Sequence, residues 1–262
     1  MDKDGGSNVY ATIVSVNNLA PMLGSILVDQ PLVQVNSVIN ASAVFTDTGV
    51  LDTHTAVWDW GDTQTSSGSI TESSGSGTAS ANHSYSEPGV YIIKLIVTDN
   101  DGAPSNEAIY QYVVVYDPTA GFVSGGGWIN SPAGAYFSDP TLTGKATFGF
   151  VSRYKKGAVV PSGETWFQFH AAGFNFRSIS YQWLVVNQAG TDAQFKGLGM
   201  LNGALAPNGS AYKFMIWAKD LDPTVDTFRI KIWYEEGDLE IVVYDNGFDQ
   251  TIGGGQIQIH TN

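Results

Sequence analysis

Three groups of acidic residues have the composition and spacing of loop-based calcium sites. They are Asp220, Asp222 and Asp226; Asp99 and Asp101 with Asn100 between them; and Asp47 and Asp52 with Asp59 and Asp62 further along the chain. Ca²⁺ takes roughly six to eight oxygen ligands, which loop carboxylates and backbone carbonyls supply. Clustered carboxylates repel one another unless a cation lies between them. Aspartate is also a favoured turn residue, so the spacing predicts candidate calcium sites and leaves open the alternative that these residues only form turns.

Four tryptophans in the second half of the chain are candidate glycan contacts: Trp166, Trp183, Trp217 and Trp233. Each lies in a segment of alternating apolar and polar residues, near glutamine, arginine or lysine. Planar rings stack on the apolar faces of sugars while polar neighbours bind the hydroxyl groups. The alternative is that the rings pack in the core or at a domain junction. Their exposure therefore decides whether a polysaccharide is a partner.

The sequence offers no catalytic constellation. His54, His83, His170 and His260 are far apart, and no HExxH motif, GxSxG elbow or phosphate-binding glycine loop is present. The chain has no cysteine, which excludes disulfides, thiolate metal sites and a cysteine nucleophile. A Ser-His-Asp triad assembled in space from distant residues stays open. We predict that the chain is not an enzyme.

Charge and hydropathy exclude two classes of partner. The net charge is −13, and residues 1–118 hold thirteen acidic and only two basic side chains. Because an acidic surface repels phosphate backbones, we expect no nucleic-acid partner. No apolar run approaches the ~18 residues of a membrane-spanning helix, so we expect no membrane insertion.

Alternation with a period of two recurs along the chain and predicts an all-β protein. Turn residues separate the segments, and the spacing of the first six fits a two-sheet sandwich. A nine-strand antiparallel second domain could close as a sandwich or a barrel. The predicted strands are 38–45, 55–60, 63–69, 79–85, 89–98 and 108–116, then 120–130, 145–152, 164–170, 175–187, 192–200, 210–219, 226–235, 239–245 and 255–261.

The first domain resembles a known family. The segments that carry the resemblance are Val57-Trp58-Asp59-Trp60-Gly61-Asp62, His83-Ser84-Tyr85, Pro88-Gly89-Val90-Tyr91 and Ile96-Val97-Thr98-Asp99-Asn100-Asp101-Gly102. In this order they resemble the PKD domain, although Trp60 replaces phenylalanine and Thr63 replaces glycine of the family pattern. The resemblance covers about residues 18–116 and implies an immunoglobulin-like β-sandwich that serves as a repeated spacer in secreted and surface proteins.

Repetition and composition predict the domain organisation. Residues 1–16 parallel the end of the PKD-like segment, because Asp2-Lys3-Asp4-Gly5 matches Asp99-Asn100-Asp101-Gly102, so we expect a remnant last strand of a preceding repeat. Residues 17–116 form the PKD-like sandwich and 117–121 a short linker that contains Pro118. Residues 122–262 form an aromatic-rich all-β domain. Neighbouring PKD-like domains are the expected intramolecular partners.

The C-terminal segment also resembles a family. The segments that carry this likeness include Gly126-Gly127-Trp128-Ile129, Gly144-Lys145-Ala146-Thr147-Phe148-Gly149-Phe150, Phe167-Gln168-Phe169-His170, Tyr181-Gln182-Trp183-Leu184 and Asp226-Thr227-Phe228-Arg229-Ile230. They are similar to a domain near the C-termini of large bacterial secreted and surface proteins, often after PKD-like repeats. The resemblance implies an extracellular or cell-surface location in bacteria.

The sequence as a whole predicts a non-catalytic structural or adhesive module, a spacer or terminal segment of a larger bacterial surface or secreted protein. Calcium is the expected cofactor if there is one, and another surface protein or a polysaccharide is the expected external partner. The alternative is a carbohydrate-binding accessory module of a secreted hydrolase. This alternative requires exposed tryptophans.

Overall fold

The computed structural model describes residues 17–261, so the predicted remnant strand 1–16 lies outside the described residues. The chain forms two compact units. The first comprises 17–28, Asn40–Ala81 and Ile93–Tyr110, and the second comprises Asp29–Ile39, Asn82–Ile92 and the chain from Gln111 onward. The predicted domain boundaries at residues 16, 116 and 122 stay predictions.

The described residues form twenty β-strands and one turn of 3-10 helix, so the predicted all-β class is confirmed. The strands of the first half are β1 Met22–Leu23, β2 Leu27–Val28, β3 Leu32–Gln34, β4 Val38–Thr46, β5 His54–Asp59, β6 Thr65–Ser67, β7 Ser69–Ser73, β8 Ser76–Ser84, β9 Gly89–Asp99 and β10 Ala108–Tyr116. Those of the second half are β11 Phe122–Ser131, β12 Gly144–Arg153, β13 Ser162–Phe169, β14 Phe174–Val186, β15 Asp192–Leu201, β16 Tyr212–Lys219, β17 Thr227–Glu236, β18 Leu239–Asp245, β19 Gln250–Thr251 and β20 Gly254–His260, and the helical turn is His170–Ala172.

The first ten strands form two sheets. One has the order β1-β4-β8-β7, with β2 also paired to β4, and the other has the order β3-β10-β9-β5-β6. Trp58 and Trp60 are fully buried, and their rings stack with centroids 5.5 Å apart. Two residues of a strand that are two positions apart share a face. Trp58 and Trp60 are therefore core residues.

The predicted single strand 63–69 is wrong, because the chain changes sheets at Gly68. β6 pairs with β5, whereas β7 pairs with β8 in the other sheet. A Cβ at Gly68 would lie 2.5 Å from Nε1 of Trp58, so only glycine lets the chain cross this close to the ring. The hairpin of β7 and β8 closes in a tight turn in which Ser74 and Gly75 both have positive φ.

Strands β3 and β10 pair in parallel. Leu32, Val33 and Gln34 of β3 lie opposite Val114, Val115 and Tyr116 of β10. The Val114 amide donates to the Pro31 carbonyl at 2.8 Å, and the Val35 amide donates to the Tyr116 carbonyl at 3.0 Å. The strand β3 was not predicted, because its short apolar run shows no period.

The last ten strands form a single sheet with half-barrel curvature. Strands β11 to β18 follow one another as an antiparallel meander, and β20 returns to pair with β11. The curvature brings distant strands together, since Phe148 of β12 stacks on Phe228 of β17 with centroids 3.8 Å apart. Inward-facing residues such as Phe167, Phe195 and Phe214 are fully buried. The predicted strands of this domain agree with the observed ones, except that β19 and the helical turn were missed.

Candidate functional site

Three carboxylates that are distant in sequence meet in the first compact unit. Asp47 follows the end of β4, Asp52 precedes β5 and Asp99 ends β9. One oxygen of each lies within 4.8 Å of the others, and within the described residues this is the one such group of three metal-binding side chains. The cluster combines residues from two of the three predicted acidic groups. Hard cations such as Ca²⁺ bind carboxylate oxygens in this kind of loop arrangement.

Two of these carboxylates are buried, and hydrogen bonds hold them in place. Asp99 accepts from Asn18 Nδ2 at 2.7 Å and from the Ala103 amide at 2.9 Å. Asp47 accepts from the Gly49 amide at 2.7 Å. A buried carboxylate needs such donors because burial removes its hydration. The donors fix the oxygens and leave part of their acceptor capacity for another ligand.

His54 bridges the cluster to a further carboxylate. Its Nε2 lies 3.1 Å from Asp47 Oδ2, and its Nδ1 lies 2.6 Å from Glu72 Oε2. Desolvation acts to lower the pKa of His54, but the hydrogen bonds with Asp47 and Glu72 outweigh this effect, so the pKa is raised. A protonated His54 supplies one positive charge among several negative ones.

The electrostatics of the carboxylates differ. Partial burial raises the pKa of Asp52, and the neighbouring Asp47 and Asp101 add to this effect. Desolvation also acts to raise the pKa of Asp99, but the hydrogen bonds from Asn18 and Ala103 outweigh it and lower the pKa. A bound cation would relieve the repulsion between Asp52 and its ionised neighbours, Asp99 among them.

Most other members of these two predicted acidic groups accept hydrogen bonds from backbone amides in turns and loops. Asp59 accepts from the Gly61 amide at 2.9 Å, and Asp62 accepts from the Gln64 amide at 3.1 Å. Asn100 accepts from the Thr53 amide at 3.1 Å, and Asp101 is exposed. Asn100 thereby joins the β9 turn to the loop that carries Asp52.

The group of Asp220, Asp222 and Asp226 does not form a three-carboxylate cluster among the residues that the structure describes. Asp226 is buried and accepts from the amides of Leu221 at 3.1 Å and Ile257 at 2.7 Å. Asp220 accepts from the Ile259 amide at 3.0 Å, and Asp222 is exposed. Asp220 and Asp226 thereby attach β20 to the loop before β17, so their carboxylates have a structural role.

The four candidate tryptophans do not form an exposed strip. Trp183 and Trp233 are buried, at 6% and 4% exposure, and they pack in a cluster with Val114, Tyr116 and Met215. Trp217 is half-buried, with the Arg229 guanidinium 4.4 Å from its ring centroid. Trp166 is half-buried against Gly149, where a Cβ would lie 2.6 Å from its Nε1.

Sequence reasoning missed the residues that organise the carboxylate cluster, namely Asn18, His54 and Glu72. Their partners lie 81 residues away for Asn18 and 18 residues away for the His54–Glu72 pair. Local spacing carries no signal for such contacts. The antiparallel pairing of His54 with Asp99 brings the start of β5 to the end of β9, and this pairing is seen only in the folded chain.

The lowered pKa of Asp99 predicts a pH-dependent stability. An acid with a depressed folded-state pKa stabilises the fold above its unfolded pKa of about 4, and this contribution is lost as the pH falls through the folded-state value. In urea denaturation, the wild type should exceed Asp99→Asn in unfolding free energy at pH 7, and the difference should shrink towards pH ~2. Asn18→Ala removes one donor to Asp99, so it should lower the unfolding free energy at pH 7 by a smaller amount than Asp99→Asn does. A difference that stays constant over this pH range would contradict the prediction.

Part of the chain matches a known protein family. No curated protein matches the chain significantly. In the part of the chain that the structure describes, no helix has the length and apolar character needed to cross a membrane. The family model of the PKD domain matches residues 18–114, which identifies this part of the chain as a PKD domain.

Proposed function

We propose that the chain is a non-catalytic, load-bearing spacer or terminal segment of a larger bacterial surface or secreted protein. PKD domains are non-catalytic modules that occur in extracellular proteins. The observation that carries the proposal is the parallel pairing of β3 with β10. These two strands lie near the beginning and at the end of the PKD segment.

The direction of this pair determines how the segment responds to force. A pull on the preceding chain first loads the short pairs of β1 and β2 with β4. Once these have opened, opposite pulls on β3 and β10 act along the strands and slide one past the other, because the two strands are parallel. The ladder bonds, among them Val114 to Pro31 and Val35 to Tyr116, are then loaded together. An antiparallel terminal pair would instead open one bond at a time. This geometry supports a module that keeps its length under tension.

A bound cation would stabilise the first compact unit at Asp99, the last residue of β9. Asp47, Asp52 and Asp99 come from three separate segments, so a Ca²⁺ bound to all three would tie the β4–β5 loop to the end of β9. A ligand that binds only the folded state stabilises it by mass action. We assign the calcium-binding role to this cluster, while the predicted role of Asp220, Asp222 and Asp226 stays a proposal that the same experiment tests.

The accessory-module alternative is less well supported. It requires exposed rings, whereas Trp183 and Trp233 are buried and Trp166 and Trp217 are half-buried. Adhesion to another surface protein remains part of the proposed role, since the larger protein would present this segment outside the cell.

The load-bearing role predicts a loss of mechanical resistance when one ladder bond is removed. Val35→Pro deletes the amide that donates to the Tyr116 carbonyl, whereas Val35→Ala keeps it. In single-molecule force spectroscopy with handles at both chain ends, Val35→Pro should unfold the PKD segment at lower force than the wild type. Val35→Ala should stay close to the wild type. Equal unfolding forces for Val35→Pro and Val35→Ala would contradict the proposal.

The calcium role predicts a metal-dependent melting temperature. After EDTA treatment, added Ca²⁺ should raise the melting temperature by several degrees, on the order of that produced by 1–2 kcal/mol of binding energy in a domain of this size. The rise should disappear in Asp47→Asn and Asp99→Asn. The control variant Asp222→Asn lies in the other acidic group and should keep the rise. No rise in the wild type would exclude the calcium role, and a rise lost only in Asp222→Asn would move it to the other group.

A further inference from the structure

A polar pocket of about 500 Å³ lies on the outer face of the curved sheet, opposite the phenylalanine core. Its volume falls in the range of roughly 300–1,000 Å³ that is usual for small-molecule sites. Strands β15, β16 and β17 form its floor, since Lys196 lies opposite Met215 and Met215 lies opposite Lys231. Trp217 and Trp233 also line the pocket, with the Arg229 guanidinium 4.4 Å from the Trp217 ring centroid and Lys196 and Lys231 each 5.2 Å from the Trp233 ring centroid. All of these residues belong to the second compact unit.

Two of the three cations in the pocket are neutralised. Arg229 forms two hydrogen bonds with Asp245, at 3.2 and 3.1 Å, and Lys231 forms an ion pair with Glu240. Lys196 has no carboxylate within ion-pair distance among the described residues, and its Nζ lies 5.2 Å from the Trp233 ring centroid. The pocket therefore holds one positive charge that no neighbouring side chain pairs.

Other groups around Lys196 define the charge that a ligand can carry. Burial lowers the pKa of Lys196, and the nearby Lys213 adds to this effect, while Glu235 and Glu240 act against it. Glu235 is engaged in an ion pair with Lys213. One carboxylate of a ligand would compensate the charge of Lys196, because Glu235 and Glu240 are already paired with other lysines.

The remaining lining fits a ligand with hydroxyl groups. Gln111 offers an amide that both donates and accepts, and the carboxylates of Glu235 and Glu240 accept hydrogen bonds from hydroxyl groups. Tyr112 is exposed and lines the pocket, so its ring can contact the apolar face of a sugar.

We propose that this pocket binds an acidic sugar, a hexuronate residue of a polysaccharide, whose carboxylate pairs with Lys196. Trp217 and Trp233, two of the four tryptophans predicted from the sequence, line this site, but the charge pair with Lys196 and not stacking on these two rings provides the recognition. It is a recognition function in addition to the spacer role, and it does not depend on that role.

The test is calorimetric titration with oligogalacturonate, beside the uncharged galactose oligomer of the same length. The wild type should bind the uronate and not the neutral oligomer, and Lys196→Met should weaken binding about tenfold or more, because it removes one partner of a charge pair. The control Lys145→Met removes a lysine that also lies over a ring, 4.7 Å from the Trp128 centroid but outside the pocket, and should bind as the wild type does.

Two further measurements keep the proposal testable. Lys196→Met should melt at or above the wild-type temperature, because a partly desolvated charge is removed while the apolar stem is retained. In the wild type, the uronate should shift the indole NMR signals of Trp217 and Trp233 and leave that of Trp128 unchanged. Absence of uronate binding to the wild type, equal binding of the neutral oligomer, or equal binding by a folded Lys196→Met would overturn the proposal.

Discussion

The pairing of β3 with β10 is the contact on which the other arrangements depend. It gives β10 a hydrogen-bonded neighbour on its second edge, because β9 already occupies the first. Each bond of this ladder pairs a backbone donor with a backbone acceptor. Without β3, β10 would be an edge strand with unpaired donors and acceptors. The same few residues of β10 face other parts of the second unit. Val114 and Tyr116 pack with Trp183 and Trp233.

Aspartates in this chain serve mainly as backbone acceptors. Asp226 binds two amides, and Asp99 binds one amide and one side-chain donor. A carboxylate that accepts such bonds can be buried without a counter-ion, which explains how a protein with a net charge of −13 folds with so few basic residues. The cluster of Asp47, Asp52 and Asp99 differs, because three carboxylates face one another there. This is the reason for assigning the cation to that cluster.

Much of the fold could be predicted from the sequence because a period of two is a local signal. The strands of the second domain follow from alternation and turn residues. The change of sheet at Gly68 could not be predicted, since it depends on how closely the chain approaches Trp58. The short strands β1 to β3 were missed because two or three residues cannot show a period.

The candidate sites were less predictable, for a physical reason. Spacing indicated carboxylates but not which of them would meet, because His54, Glu72 and Asn18 reach the cluster only through sheet pairing. For the outer pocket, the sequence indicated Trp217 and Trp233 but not Lys196. The pocket is recognised by a missing partner for Lys196, and the pairing of Arg229, Lys231 and Lys213 with other carboxylates is visible only in the folded chain.

Native-state hydrogen exchange tests the central claim most directly. The amides to follow are those of Val35 and Val114, which donate across the β3–β10 pair. If this pair bears load, both amides should exchange only through global unfolding, with protection equal to that of the most stable core amides of β9. Exchange through local opening, at free energies close to those of exposed loops, would show that the pair opens on its own and would contradict the load-bearing account.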